Sequence, residues 1–396
     1  MVTDPTFWSA IAYEERTWES RPNGIIPRKF RKYEHLPYQA AVVPEIATTA
    51  RLDISNESLN VLVEASHEIA RFDDEIGFEL APFSAILLRS ESAASSKIEN
   101  LSATAKAISL AELGDPSRHN ANVILANVAA MRAAIDLADR LDANAILAMH
   151  KALLSKEHPD WAGEWRQEQV WIGGTDYSPH GATFVPPHHT RVPAAIDDLV
   201  LFIDESDLPP LAVAAIAHAQ FETIHPFPDG NGRVGRAIIH SILKARGLTR
   251  HVTVPVSAGL LVDLDRYFAA LTDYRLGNHE HIVTLIAEAS FHAIANGRTL
   301  STELRQLRED WSGKITARRD AAVWDLIKLI LRHPVIDSEL VQRELGIAPH
   351  NANTAIQQLV DIGAIVKVSG NYRNRKWSAP LVLQALDGFA TRAGRR

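Results

Sequence analysis

The sequence predicts a mainly α-helical protein of more than one domain, with one short β-hairpin and a C-terminal winged helix-turn-helix domain. Three observations carry this prediction. Long stretches such as NANVILANVAAMRAAIDLADRL repeat apolar and small residues at helical spacing. The pattern breaks at EWRQEQVWIGGTDYSPHGATFVPP, residues 164–187, where β-branched and aromatic residues flank a Gly, Asp, Ser and Pro cluster. Past residue 316, three short helical patterns precede IVKVSGNYRNRKWSA, which alternates like a two-stranded wing around Ser369, Gly370 and Asn371.

At 396 residues the chain exceeds the size at which one core usually stops growing. Residues 1–57 are expected to form an irregular arm, 58–296 a helical core domain, 297–316 a linker helix and 317–396 the winged domain. With 46% hydrophobic and 22% charged residues the composition is that of a folded globular protein. The absence of cysteine excludes disulfides, thiolate metal sites and a cysteine nucleophile, so any metal must be held by oxygen or imidazole. MVTDPTFWSA lacks the basic and apolar regions of a leader, and no stretch approaches the roughly 18 apolar residues of a membrane span, so the expected compartment is the cytoplasm, with no membrane partner. A net charge of −7 argues against non-specific nucleic-acid binding by the whole chain. From Ala317 onward, however, 12 Lys plus Arg face 7 Asp plus Glu, a local +5 that leaves −12 for the rest.

In order, Asn56 is placed to cap a first helix carrying Leu59, Val61, Leu62, Ile69 and Phe72. FELAPFSAILLRSESAASSKIENLSATAKAISLAELG reads as more than one helix, closed at Gly114, Asp115 and Pro116. After the hairpin, LAVAAIAHAQFETI is apolar on nearly every side and belongs at the centre of the core.

The chemistry concentrates in HPFPDGNGRVGR, His225 to Arg236, between that helix and VGRAIIHSILKARG. Gly230 and Gly232 permit backbone conformations closed to other residues, and with Asn231 they can turn several N–H groups toward one anion. The next helix begins there and adds its positive N-terminal end. Arg233 and Arg236 share one side of its first turns, a spacing suited to a polyphosphate. Asp229, the loop's one carboxylate, is placed to hold Mg²⁺, and His225 can accept a proton at neutral pH. Pro226 and Phe227 fix and bury the loop.

These residues resemble the Fic family, whose pattern HPFx(D/E)GNGRxxR is matched here at every fixed position. Outside the loop the likeness is looser and runs from about Pro27 to Asn296. It implies a protein adenylyltransferase using ATP and Mg²⁺. His225 would deprotonate a Tyr, Ser or Thr hydroxyl of a target protein, Asp229 would bind the metal, and Gly230, Asn231 and Gly232 would form the anion hole. Arg233 and Arg236 would hold the outer phosphates, with Phe227 and Tyr267 counted in the nucleotide-binding set. Doc-like phosphotransferases of the same superfamily replace part of GNGR, which is intact here; a nucleotide other than ATP stays open.

Upstream, SSKIEN matches the family's inhibitory pattern (S/T)xxxE(G/N) through Ser95, Glu99 and Asn100. The resemblance implies that a Glu99 carboxylate paired with Arg236 would occupy the γ-phosphate position and brake the reaction. The segment 170–187 resembles the flap that aligns an extended target stretch. His279 and His281 stand where relatives often carry Trp, and neither they nor His188 and His189 are expected to bind metal. Self-modification and a homo-oligomer stay open.

The C-terminal domain supplies an alternative function, a DNA-binding regulator with a relic or accessory catalytic domain. Asn351, Asn353 and Thr354 would face bases, while Arg373, Arg375 and Lys376 on the wing would meet phosphates.

Overall fold

The computed structural model describes residues 8–19, 27–48, 52–77, 81–369 and 375–394. In chain order the elements are β1 (Ala12–Thr17), β2 (Pro37–Val42), α1 (Asn56–Gly77), α2 (Ala81–Ile98), α3 (Ala105–Glu112), α4 (His119–Asp136) and α5 (Ala143–Leu154). They continue through α6 (Val192–Glu205), α7 (Pro210–Ile224), α8 (Asn231–Ala245), α9 (Val256–Leu260), α10 (Leu264–Arg275) and α11 (Glu280–Lys314). The last are α12 (Val323–Arg332), β3 (Val335–Asp337), α13 (Ser338–Leu345), α14 (Pro349–Asp361), β4 (Val366–Ser369), β5 (Lys376–Ser378) and α15 (Pro380–Ala393). The protein is mainly helical, as the periodicity predicts.

The chain divides into two compact units. One comprises Met1–Val63, Ala133–Arg246 and Asp265–Ile286; the other comprises Glu64–Arg132, Gly247–Leu264 and Ala287–Arg396.

The first unit is built around α7. Pro210 starts this helix, and every residue from Leu211 to Ile224 is buried, in keeping with a sequence that is apolar almost all round. Gly235 lets α8 approach it closely: a Cβ there would lie 3.0 Å from His218 Nδ1 and 3.1 Å from a ring carbon of Phe221. Asp142 caps α5 by accepting the N–H of Ala145 at 2.9 Å. Helix α1 is capped by Ser55 rather than Asn56, since Ser55 Oγ accepts the N–H of Ser58 at 3.2 Å.

The arm is more regular than expected. β1 and β2 pair antiparallel from Ala12↔Val42 to Thr17↔Pro37. Strand β2 alternates burial, with Tyr38 and Ala40 inward, and Trp18 meets Tyr38 and Trp171 edge to face. Nearly twenty residues separate the two strands, so no local turn signal announces their pairing. The segment 164–187 forms isolated bridges, Ile172↔Phe184 and Thr175↔Ser178, rather than a continuous ladder. Gly173 and Gly174 have positive φ, and Pro179, Pro186 and Pro187 lack the N–H a ladder needs.

In the second unit, α2 and α9 are tied by buried Glu91, which accepts the N–H and hydroxyl of Ser257 at 2.9 and 2.5 Å. Gly259 packs where a Cβ would lie 1.9 Å from the carbonyl oxygen of Ala289. Helices α12, α13 and α14 follow one another as read from the sequence. Asp337 caps α13 through the N–H of Leu340, and Gly346, φ 64°, ends it. β4 and β5 are antiparallel, and the unanticipated strand β3 completes a sheet of order β3-β5-β4. Gly370, Asn371 and Arg373 lie outside the described residues.

Candidate active site

Residues 225–236 join the two central helices of the first unit. His225 ends α7 in the left-handed conformation, φ 50° and ψ 61°, with its N–H on Phe221 O at 2.9 Å. A non-glycine residue held there is a strained C-cap, and it turns the chain abruptly into the loop. Gly230 opens α8 at φ 82°, and a Cβ at this position would lie 2.9 Å from Leu153 Cδ2, so both conformation and space demand glycine.

The loop is braced from within and from α5. Asn231 Oδ1 accepts the N–H of Phe227 and Asn231 Nδ2 donates to Phe227 O, both at 2.9 Å. The Asn231 side chain thus closes the loop, leaving main-chain N–H groups at the start of α8 for an anion, where an α-helix has no internal acceptors. Phe227 is fully buried, its ring 3.6 Å from His150 and 5.0 Å from Trp165, so it anchors the loop as expected. His150 accepts the N–H of Gly163 at 2.9 Å through Nδ1, and its Nε2 lies 3.2 Å from Asp229 O.

Arg166, which residue reasoning passed over, carries much of this bracing. It is buried, donates to His225 O at 2.9 Å, to Glu168 O at 3.0 Å and to Pro187 O, and its own N–H reaches Pro226 O at 3.0 Å. An arginine in a polar stretch beside a hairpin carries no sequence signal for this role.

The electrostatics favour a neutral imidazole. Burial, then the Arg166 cation, push His225 down to about 3, against the weaker opposing effect of Asp229. Its side chain nevertheless keeps 20% exposure, and Nδ1 lies 3.9 Å from the Glu222 carboxylate, beyond hydrogen-bonding distance. A neutral, partly accessible histidine can accept a proton.

Arg233 is only 4% exposed, with Nη2 3.2 Å from Asp229 Oδ2, while Nε and Nη1 are buried without a hydrogen-bond partner among the described residues. Orphaned guanidinium nitrogens beside a helix N-terminus suit a polyphosphate. Arg236 is buried one turn further on. Asp229 keeps 59% exposure, with Oδ1 accepting the N–H of Gly230 at 2.6 Å, and a single accessible carboxylate suits Mg²⁺. Tyr267 is buried with its hydroxyl 2.8 Å from His218 Nε2.

Ser95 and Glu99 belong to the second unit. Ser95 is buried within α2 and Glu99 is exposed just past its end. Asn100 has φ 61°, which gives a physical reason for Asn or Gly at that motif position. His279 is buried against Trp8, ring centroids 4.5 Å apart, and His281 pairs with Asp273 at 2.6 Å. Among the described residues, Asp73, Asp74 and His251 bring ligating atoms together, but Asp73 already accepts the N–H groups of Arg250, His251 and Val252, so it staples a loop.

Burial sets a pH dependence of stability. Burial lowers His150 to about 4 and His218 to about 3, whereas the unfolded chain titrates near 6.5. Above that value neither state is protonated; below it the unfolded chain alone gains protons. Stability is therefore expected to fall from pH 6.5 toward 4, at about 1.4 kcal/mol per pH unit for each histidine. Urea unfolding between pH 8 and 5 should show this slope, reduced by one proton in His150→Gln; an unchanged slope would refute the assignment.

Comparison with known proteins bears on this same loop. Residues 140–243 match the Fic/DOC family. Protein adenylyltransferase fic-1 of Caenorhabditis elegans is 32% identical over 155 residues, 38% of this chain and 28% of that protein. The probable protein adenylyltransferase aq_aa38 of Aquifex aeolicus is 39% identical over 93 residues, 21% of this chain and 29% of that protein. This chain thus aligns with less than a third of either relative. A Fic family protein from Desulfovibrio desulfuricans G20 shares the fold with a TM-score of 0.53 at 20% identity, over 84% of this chain and 98% of that one. The sequence matches thus place a Fic/DOC likeness in residues 140–243, and the solved structure adds a likeness of fold alone.

Proposed function

We propose that this chain, with its Fic/DOC segment at 140–243, is a protein adenylyltransferase that moves AMP from ATP to a Tyr, Ser or Thr hydroxyl of a target protein. The observation that carries the reading is a partly accessible His225, whose burial favours the neutral imidazole, at one end of the loop that leads to Arg233 and its orphaned nitrogens.

In this scheme the His225 imidazole takes the proton of the target hydroxyl. The freed oxygen bonds to the α-phosphorus, the bond from that phosphorus to the β-phosphate bridging oxygen breaks, and pyrophosphate leaves. Main-chain N–H groups at the start of α8 and the Arg233 and Arg236 guanidiniums offset the charge on the phosphates. Asp229 would hold Mg²⁺, which when bound neutralises phosphate oxygens. Segment 170–187 presents the target stretch. Among the described residues no helix is long and apolar enough to cross a membrane.

Glu99 acts as the brake in this reading, supported by the Ser95, Glu99, Asn100 motif at the end of α2 and by the left-handed Asn100 that the motif requires. The order α12, β3, α13, α14, β4, β5 supports a winged helix, and the exposed Asn351, Asn353 and Thr354 on α14 favour a second reading in which this domain binds DNA.

Wild type, Glu99→Gly and Glu99→Gly with His225→Ala are incubated with α-labelled ATP and Mg²⁺, and label on protein is followed. Strong labelling by Glu99→Gly alone, at least tenfold above wild type, is expected. Labelling equal in wild type and Glu99→Gly removes the brake; no labelling by any variant, with salt-dependent DNA binding indifferent to His225→Ala, favours the regulator.

A further inference from the structure

Residues 28–33 read RKFRKY, the triplet Arg, Lys, aromatic written twice. The backbone takes up the same period. Phe30 donates its N–H to Pro27 O at 2.9 Å, Tyr33 to Phe30 O at 3.0 Å and Glu34 to Arg31 O at 3.2 Å, a run of i→i−3 turns that includes a 3₁₀ helix at Arg31–Tyr33. With three residues per turn, side chains three apart stand above one another, so the repeat sorts into one aromatic stripe and two cationic ones. The aromatic stripe lies on segment 170–187: Phe30 stacks on Tyr177 with ring centroids 4.9 Å apart, and Tyr33 on His180 at 4.7 Å. The Lys29 and Lys32 ammoniums lie 4.8 and 4.9 Å from the Phe30 and Tyr33 rings. Arg28, Lys29, Arg31 and Lys32 are all exposed, and none makes an ion pair among the described residues.

Four cations thus share one short ridge of a chain whose net charge is −7, and Glu34 is the one carboxylate in residues 27–36. A ridge of one sign on an otherwise acidic protein draws an acidic partner to that place alone. Single-stranded nucleic acid would use the rings as stacking platforms, and here they are already engaged by segment 170–187 and by the lysines. The same segment leads to the candidate base, since Arg166 donates both to its last carbonyl, Pro187 O, and to His225 O. We propose that the ridge docks an acidic stretch of the target protein, beside the segment that presents the target's hydroxyl. That occupant rests on the transfer reading above, so binding is measured apart from chemistry.

Fluorescence anisotropy follows a labelled Tyr peptide bearing a run of Asp, its Asn counterpart and a single-stranded DNA of equal charge, each titrated with the full chain. The Asp peptide is expected to bind about tenfold tighter than the Asn peptide, with the difference shrinking as salt rises. Arg28→Glu combined with Arg31→Glu, at two exposed positions, should weaken the Asp peptide by about tenfold or more while thermal unfolding stays near the wild-type temperature. In the Glu99→Gly background the same pair should raise the KM of that peptide for AMP transfer by a similar factor. Binding of this pattern without AMP transfer by any variant retains the acidic partner and removes the transfer reading. Equal binding of the Asp and Asn peptides, Asp-peptide binding unchanged in the folded double variant, or DNA that binds tighter than the peptide and is lost with the same pair would overturn the proposal.

Discussion

His225→Ala, introduced into the Glu99→Gly protein, is expected to lower AMP transfer by roughly 10²–10⁴-fold, the range over which a positioned general base accelerates proton transfer. ATP binding should change little, because the anion site is made by the start of α8 and Arg233. The pH profile adds a test that simple damage to the loop would not pass. Burial and Arg166 hold the His225 imidazole well below its ordinary 6.5, so it remains neutral as pH falls through that value. A base active when unprotonated loses function only below its own pKa. With Mg²⁺ saturating, kcat/KM is therefore expected to stay flat from pH 8 to pH 6. Arg166→Gln weakens the cation that depresses His225 and frees His225 O, so an acidic limb should rise toward neutrality in that variant. A limb near 6.5 already present in the parent would contradict the assignment.

How far the sequence reaches depends on whether a feature is local. The loop was legible residue by residue, because glycine at φ 82°, a helix start and two arginines one turn apart are all written within a dozen positions. Helices α12 to α14 were legible for the same reason: each is a short amphipathic run with its own cap or stop, as Asp337 and Gly346 illustrate for α13. What escaped is held by partners distant in sequence. β1 finds β2 across nearly twenty intervening residues, and β3 is three residues long and recognisable only once β5 is beside it. Arg166 likewise becomes functional through carbonyls at 187 and 225. The Asn231 side chain shows the opposite limit: its residue type suggested an anion ligand, yet both ends of the amide are engaged by Phe227, so the type alone did not decide which of its donors is available.

Arg233→Met should separate stability from function with opposite signs. In the free protein the Arg233 guanidinium is buried, and among the described residues Nε and Nη1 are unpartnered and its one ion pair is to a carboxylate that keeps 59% exposure. Leaving such donors unsatisfied costs about 1–3 kcal/mol, and an apolar side chain of similar length removes that cost without opening a cavity. Unfolding in the absence of nucleotide is therefore expected to move up by a few degrees. The same substitution deletes the donors proposed to meet phosphate, so stabilisation by ATP should disappear and transfer in the Glu99→Gly background should fall by about 10²–10³-fold. Arg233→Lys keeps the charge but not the forked donors, and it should recover only part of the ATP-dependent stabilisation. A residue kept for the fold alone predicts the reverse pattern: a lower unfolding temperature in Arg233→Met with the ATP response intact. That outcome would place the phosphate elsewhere, whereas a more stable protein that no longer responds to ATP means that the buried, uncompensated charge is tolerated for the sake of the nucleotide.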